Sequence, residues 1–518
     1  MREIKWDKEK AKWSMLFSLL FVMLAHAYRF MNLAYTNDSA EIVQSSDTIW
    51  QIELGRFLTP VYWKVRGDIV APYLIGVLSA LFLAIIVYLV VQMLQLQSKV
   101  SIALLCALLT CNWAQFSTNA TYIQCTDVYM LSFLLSVVGV ALWNEHGIWN
   151  TICSIGFICA SLALYQSYFQ VAALLFMLIC MKRSLENEDI KRVILDGLRA
   201  IVILIAALIM YELCMRFIEW KMEITRNSGS NGIGSIGSIL KKDILKLLID
   251  TYSYPFKFMT GKTVHLPEIT AVLYGIALFV TLILMIGIMK MRHIKIVNAV
   301  IAVVLLALIP FGANAVYFIA TRHVKARMLE SYYLFFAFTI YLVEQIASSK
   351  EMVARWMVRL GAMALVALSL TCYNHTVYGN HMYIRRDLEF QSTLSVMTRV
   401  MDRAEQVEGY EPGYTPVAFI GTMYDSPLSM QRVGFEHLTE KETANSNNYY
   451  VTASEEFYPY YFWEILGYPF NFIGEFERSQ LTLIPEIRNM PTFPAEGSVA
   501  MRDGMLIVKV GELRKIDE

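Results

Sequence analysis

The feature that most constrains this chain is a succession of apolar runs, each about 17–25 residues long, separated by short polar links. A run of that length crosses the hydrocarbon core of a bilayer as one helix. Backbone polar groups find no water there, so the spanning segments must satisfy their own hydrogen bonds. We read spans near 13–31, 71–95, 100–118, 125–143, 149–164, 167–181, 193–215, 269–289, 296–318, 329–347 and 360–376. The stretch from Ile148 to Met181 fits either one kinked helix or two short ones, with the break around Tyr165-Gln166-Ser167-Tyr168. Hydrophobic residues make up 56% of the chain and charged residues 17%, the balance of a membrane protein and not of a soluble domain. The fold class expected is a mainly α polytopic membrane protein of about eleven transmembrane helices, followed by a small C-terminal α/β domain.

Lysine plus arginine equals aspartate plus glutamate at 44 each, so net charge points to no nucleic-acid partner. Where the charges sit is more informative. With the N-terminus on the cytoplasmic side, the links Lys182 to Arg192, Lys290 to Lys295 and Lys350 to Arg359 are all cytoplasmic and all basic, as the positive-inside rule requires. The first loop 32–70, the loop 216–268 and the tail 377–518 then fall outside. The expected divisions are a transmembrane domain over 1–376 and an extracytoplasmic domain over 377–518. The basic start, MREIKWDKEKAKW, precedes an apolar run without a small-residue cleavage site, so we read a retained first span and not a signal peptide. The eight cysteines form no CxxC or metal-ligand spacing and read as small core hydrophobes.

Two outer segments carry patterns of their own. After the flexible stretch Asn227 to Gly237, apolar residues from Ile239 to Ile249 recur at helical spacing among Lys241, Lys242 and Lys246. That pattern fits a short helix on the membrane surface, or an amphipathic helix packed on neighbouring spans. In the tail, a helix-like stretch covers His381 to Val407, Pro416 to Ile420 reads as a buried strand ending at Gly421, and Asp503-Gly504 reads as the turn of a hairpin. The aromatics of Tyr458 to Trp463 either fill the core of that domain or contact a sugar.

The first outer loop holds Asp38, Glu41, Asp47 and Glu53, then Gly55-Arg56-Phe57. Carboxylates clustered at a membrane face are costly and point to function, although a solvated loop also needs polar residues. The same face receives Asp127, Tyr165, Gln166, Tyr168 and the run Arg322-His323-Val324-Lys325-Ala326-Arg327. Cations there run against the positive-inside expectation. A bound lipid phosphate explains them, as would pairing with carboxylates or snorkelling to headgroups. Carboxylates opposite cations at membrane level suit glycosyl transfer from a lipid-phosphate donor. A carboxylate takes the proton of the attacking sugar hydroxyl while cations stabilise the departing phosphate, and the anomeric centre inverts. On this reading Asp38 is the general base. Glu41 and Asp127 position sugar hydroxyls, and Arg56 with the cluster Arg322, His323, Lys325 and Arg327 holds the donor. A polysaccharide or lipid-linked sugar transporter, or flippase, is the alternative, but no internal repeat of the transporter kind is visible. A non-catalytic scaffold leaves the acidic loop unexplained.

Asn37-Asp38-Ser39 after the first span, Gly55-Arg56-Phe57-Leu58 before Pro60, and Asp127-Val128-Tyr129 opening a span together resemble the GtrII-type glucosyltransferases, as do Met490 to Pro494 and Gly497-Ser498-Val499. These are bacterial membrane enzymes of the GT-C class. The resemblance implies transfer of a sugar, glucose in the first instance, from a polyprenyl-phosphate carrier to a surface polysaccharide on the non-cytoplasmic face, with an essential first-loop aspartate, here Asp38. Its expected partners are the bilayer, the lipid-linked donor, the polysaccharide acceptor, a small flippase and a polyprenyl-phosphate glucosyltransferase. No organic cofactor is implied. The loop lacks the adjacent acidic pair of some GT-C branches, so a divalent metal stays an open expectation.

Overall fold

The structure is a computed structural model and describes residues 6–32, 34, 48–227, 243–263, 267–320, 324–349, 355–422 and 458–511. The chain opens with α1 (Lys8–Met31), started by Asp7, whose carboxylate accepts the Lys10 amide at 3.1 Å. Two short helices follow, α2 (Thr48–Glu53) and α3 (Thr59–Arg66). Next come α4 (Pro72–Leu94), α5 (Lys99–Thr110), α6 (Trp113–Thr121), α7 (Thr126–Asn144), α8 (Ile148–Leu164), α9 (Phe169–Leu185) and α10 (Ile190–Met222). The second half has α11 (Ile244–Met259), α12 (Glu268–Met291), α13 (Ile296–Ala313), α14 (Ala315–Ala320), α15 (Glu330–Ala347) and the 51-residue α16 (Arg355–Glu405).

Every expected span is helical. Among the described residues, eight helices are long and apolar enough to cross a membrane, or nine when the bent pair α5–α6 counts as one. The difference from eleven has two causes. Helix α8 is short at 17 residues, and α15 carries too many polar and aromatic residues for its hydropathy to qualify. Instead α15 is the core of the bundle, with Tyr332, Tyr333, Phe336, Phe338 and Tyr341 all buried. The Ile148–Met181 question resolves to two helices, parted by a tight turn at Gln166–Tyr168. The 41° bend between α5 and α6 falls at Asn112, whose side chain restarts the helix by accepting the Gln115 amide at 3.0 Å.

Of the three basic links, residues 350–354 of the third lie outside the described residues, and the links Lys182–Arg192 and Lys290–Lys295 meet at one end of the bundle. There Arg292 reaches Gln345 and the Leu185 carbonyl, while Asn187 bonds Lys295 and Asn298. The other end carries α2, α3, the α8–α9 break and the turn before α15. Helix α11 packs on that end through Tyr254, whose hydroxyl donates to the Val324 carbonyl at 2.7 Å. One face buries Leu247, Thr251, Tyr254 and Phe258, and the other exposes Ile244, Leu245, Leu248 and Ile249. It is thus packed on neighbours and presents an apolar face as well; the stretch 239–242 lies outside the described residues.

Helix α16 runs through residues 376–377 without a break. It bonds α1 as far along as Asp387, which accepts the Tyr28 hydroxyl at 3.0 Å. The tail therefore leaves the bundle at the α2–α3 end. Beyond it lie β1 (Pro416–Ile420), β2 (Asn471–Phe472), β3 (Val499–Arg502) and β4 (Met505–Lys509) in the order β2-β1-β4-β3. β1 is parallel to both neighbours, and β3–β4 is the expected hairpin. Its turn residues Asp503 and Gly504 have φ of 48° and 77°, as a tight two-residue turn demands. Tyr458, Tyr461 and Phe462 are buried against β1 and the last turns of α16, so these aromatics fill the domain core.

Candidate active site

The site is built on the loop after α2. Helix α2 ends at Gly55, whose φ of +79° lets the Gly55 and Arg56 amides turn back to the Ile52 and Gln51 carbonyls, each at 2.8 Å. A side chain there has no room: a Cβ on Gly55 would sit 2.3 Å from the Tyr211 hydroxyl and 2.9 Å from Gln166 Nε2. Those two groups are the anchors of the turn. Gln166 donates to the Leu54 carbonyl at 2.8 Å and Tyr211 to the Gly55 carbonyl at 2.9 Å. Further along, the Leu58 amide and the Thr59 hydroxyl bond the Ala163 and Leu164 carbonyls, the frayed end of α8. The Gly-Arg-Phe-Leu segment is thereby strapped across the break between α8 and α9.

This strapping aims Arg56 at an aromatic floor. Its guanidinium lies 4.9 Å from the centre of the Tyr165 ring, and Tyr165 stacks on Tyr129 at 3.8 Å with 12° between the planes. Arg56 Nη1 reaches Gln51 Oε1 at 3.5 Å, while Nε is buried without a hydrogen bond among the described residues. Arg327 enters from the turn before α15, its guanidinium 4.4 Å from the centre of the Tyr122 ring. The charges of Arg56 and Arg327 oppose each other, and both act on Tyr129. Half-buried Lys325 stands in the same turn.

Beside them a closed group links α3 to α7. Arg66 Nη1 pairs with Asp127 at 2.7 Å and also donates to the Gln124 carbonyl at 3.0 Å. The other Asp127 oxygen accepts the Tyr62 hydroxyl at 2.9 Å. Burial, then the charge of Asp127, pushes the Tyr62 pKa up, so this hydroxyl keeps its proton and donates.

Of the residues singled out in the sequence, Arg56, Asp127, Lys325 and Arg327 meet at this end of the bundle. Asp38, Glu41, Arg322 and His323 lie outside the described residues. Sequence reasoning left out Arg66 and Tyr62, the partners of Asp127. Their only signal was position: seven and three residues after Thr59, on a short helix with no periodicity to mark an inner face. Among the described residues no three His, Cys, Asp or Glu side chains come together as metal ligands.

These features define an integral-membrane protein of many helices with a cluster of arginines set on tyrosine rings at one end. Residues 27–344, more than half of the chain, match the family described as Glucosyl transferase GtrII. The chain belongs to that family and is a glycosyltransferase. The match spans α2 to α15 and every described residue of this cluster; Met490 to Val499 lie beyond it. No curated protein and no solved structure matches the chain.

Proposed function

We propose that the arginine cluster takes the phosphate of a polyprenyl-phosphate sugar, glucose in keeping with the family, and delivers the sugar with inversion to a surface polysaccharide or glycolipid such as an O-antigen. One observation carries this reading: Arg56 and Arg327, remote in sequence, are held near each other, Arg56 over Tyr165 of the Tyr129–Tyr165 stack and Arg327 over Tyr122. Guanidinium forks match phosphate oxygens, and two set side by side suit one phosphate group. The tyrosine faces beside them suit the apolar face of a sugar ring. In this scheme Asp38 accepts the proton of the attacking hydroxyl and Glu41 holds the acceptor. Asp127 keeps Arg66 and Tyr62 in place at the rim, with Lys325, Arg322 and His323 adding positive charge where the phosphate departs. The cluster faces the non-cytoplasmic side, and the basic links at the opposite end face the cytoplasm.

The test is sugar transfer from synthetic polyprenyl-phosphate glucose to the purified polysaccharide, with product configuration read by NMR. Asp38→Asn keeps shape and removes proton acceptance, and it should cost roughly two to four powers of ten in rate with donor binding intact. Full activity in that variant, or retention of the donor's configuration, would overturn the scheme.

A further inference from the structure

Glu330 is a carboxylate that the scheme above does not use, and it is buried in the bundle at the start of α15. An acidic group in such a place is expensive unless fully bonded, so its bonds are informative. One oxygen accepts Asn112 Nδ2 at 3.1 Å and the other accepts Gln115 Nε2. Among the described residues no cation pairs with it. Asn112 is the residue that restarts the helix after the α5–α6 bend, and Gln115 donates the backbone amide that Asn112 caps. One turn further along α15, the Tyr333 hydroxyl accepts the Trp113 amide at 3.1 Å. The first turn of α15 thus holds the N-terminal end of α6 from two sides.

The other end of α6 leads directly to Tyr122, the ring beneath the Arg327 guanidinium. Arg327 itself stands three residues before Glu330, on the tight turn Ala326–Met328. A closed circuit results. It runs from Glu330 through Asn112 and Gln115 into α6, along α6 to Tyr122, across to Arg327, and back through Met328 to Glu330. Gln170 braces the same turn by donating to the Met328 carbonyl at 2.5 Å. The Glu330 bonds thus join the Arg327 turn to the bent helix.

We infer that Glu330 is a positioning residue for donor binding: it locks the bent helix α6 to the Arg327 turn and so fixes Arg327 over Tyr122. The inference rests on Arg327 holding the donor phosphate, and the experiment separates the two. Donor KM and kcat are measured on the full chain in nanodiscs, with synthetic polyprenyl-phosphate glucose, for Arg327→Gln, Glu330→Ala, the double variant and Glu330→Gln. Arg327→Gln should raise donor KM roughly tenfold, the loss of one charge-assisted bond. Glu330→Ala should raise donor KM toward the same value with acceptor KM unchanged, and the double variant should be no worse than Arg327→Gln alone. Glu330→Gln keeps one acceptor for the amide pair and should restore much of the loss. Where Glu330→Ala does not fold, Glu330→Gln takes its place in the cycle with a smaller shift and the same lack of additivity. An unchanged donor KM in Arg327→Gln overturns the phosphate reading and this inference with it. An effect in Arg327→Gln beside a silent Glu330 variant, or effects that multiply in the double variant, overturns the role of Glu330 alone.

Discussion

The two ends of the helix bundle both concentrate arginine, and they treat it in opposite ways. At the end where the basic links meet, the buried cations have nearby acceptors. Arg183 contacts the Asp196 carboxylate, bonds Asn144 at 2.8 Å and lies over the Trp143 ring, while Lys182 pairs with Glu186 at 3.1 Å. The cavity of about 880 Å³ there, between α4, α9 and α15, is lined by cations and carboxylates in equal number. At the opposite end Arg66 has its carboxylate, while among the described residues Arg56 meets a ring, an amide and a like charge. A neutralised arginine is a strut. One set beside another cation marks where the proposed phosphate would bind.

That contrast can be broken by substitution at either end. The largest effect belongs to Arg183→Gln. It leaves Asp196 buried beside a weaker partner, Arg199 at 4.0 Å, and loss of a buried pair costs about 3–5 kcal/mol. The melting temperature in detergent should fall by several degrees while donor KM in the surviving folded fraction is unchanged. Arg56→Gln should do the reverse. Loss of charged hydrogen bonds to a phosphate is worth about 1.5–3 kcal/mol, so donor KM should rise about ten- to a hundredfold with little change in melting temperature. Equal thermal effects of the two variants would erase the distinction between the ends.

Gly55→Ala sharpens the comparison without touching a charge. It forces a side chain into a positive φ and against the Tyr211 hydroxyl, a strain of about 1–2 kcal/mol, and should move Arg56 off the Tyr165 ring. A several-fold rise in donor KM with unchanged kcat is expected; an unaltered KM would show that the turn does not aim Arg56. The smallest effect is a pH dependence at the other end. His146 accepts Arg199 Nη1 at 2.5 Å, and burial, then the Arg199 charge, lowers its pKa below the ordinary 6.5. Unfolded chains take up that proton first, so stability is full above pH 6.5 and declines as pH falls below it. His146→Gln should flatten the melting-temperature profile between pH 7 and 5; an identical slope would remove His146 as the cause.

The helices were legible because length and apolarity alone decide them, and the tail hairpin because Asp503-Gly504 is a local signal. The α5–α6 bend was not separable from a single span, since Asn112 and Gln115 are only two amides inside an apolar run. Arg327 was visible as part of a cation run that the positive-inside expectation left unexplained, and Arg56 by its place directly after the acidic residues of the first loop. Arg66 and Glu330 were not, because their meaning lies in partners 61 and 215 or more positions away, and one sequence holds no record of such pairs. Asp127 shows the same limit: it was seen as a sugar ligand because its place was readable, while the guanidinium opposite it was not.

Helix α16 has one more consequence. Its 51 residues give a rod about 75 Å long, more than twice the hydrocarbon thickness of a bilayer of about 30 Å. A rod works as calipers, where a tether would only work as a leash: it sets how far above the arginine cluster the tail sheet is held, and in which direction that sheet faces. Each residue inserted beyond Asp387 would lift the sheet by about 1.5 Å and swing it through about 100°. The register of this one helix therefore decides which face of the tail sheet is turned toward the bundle.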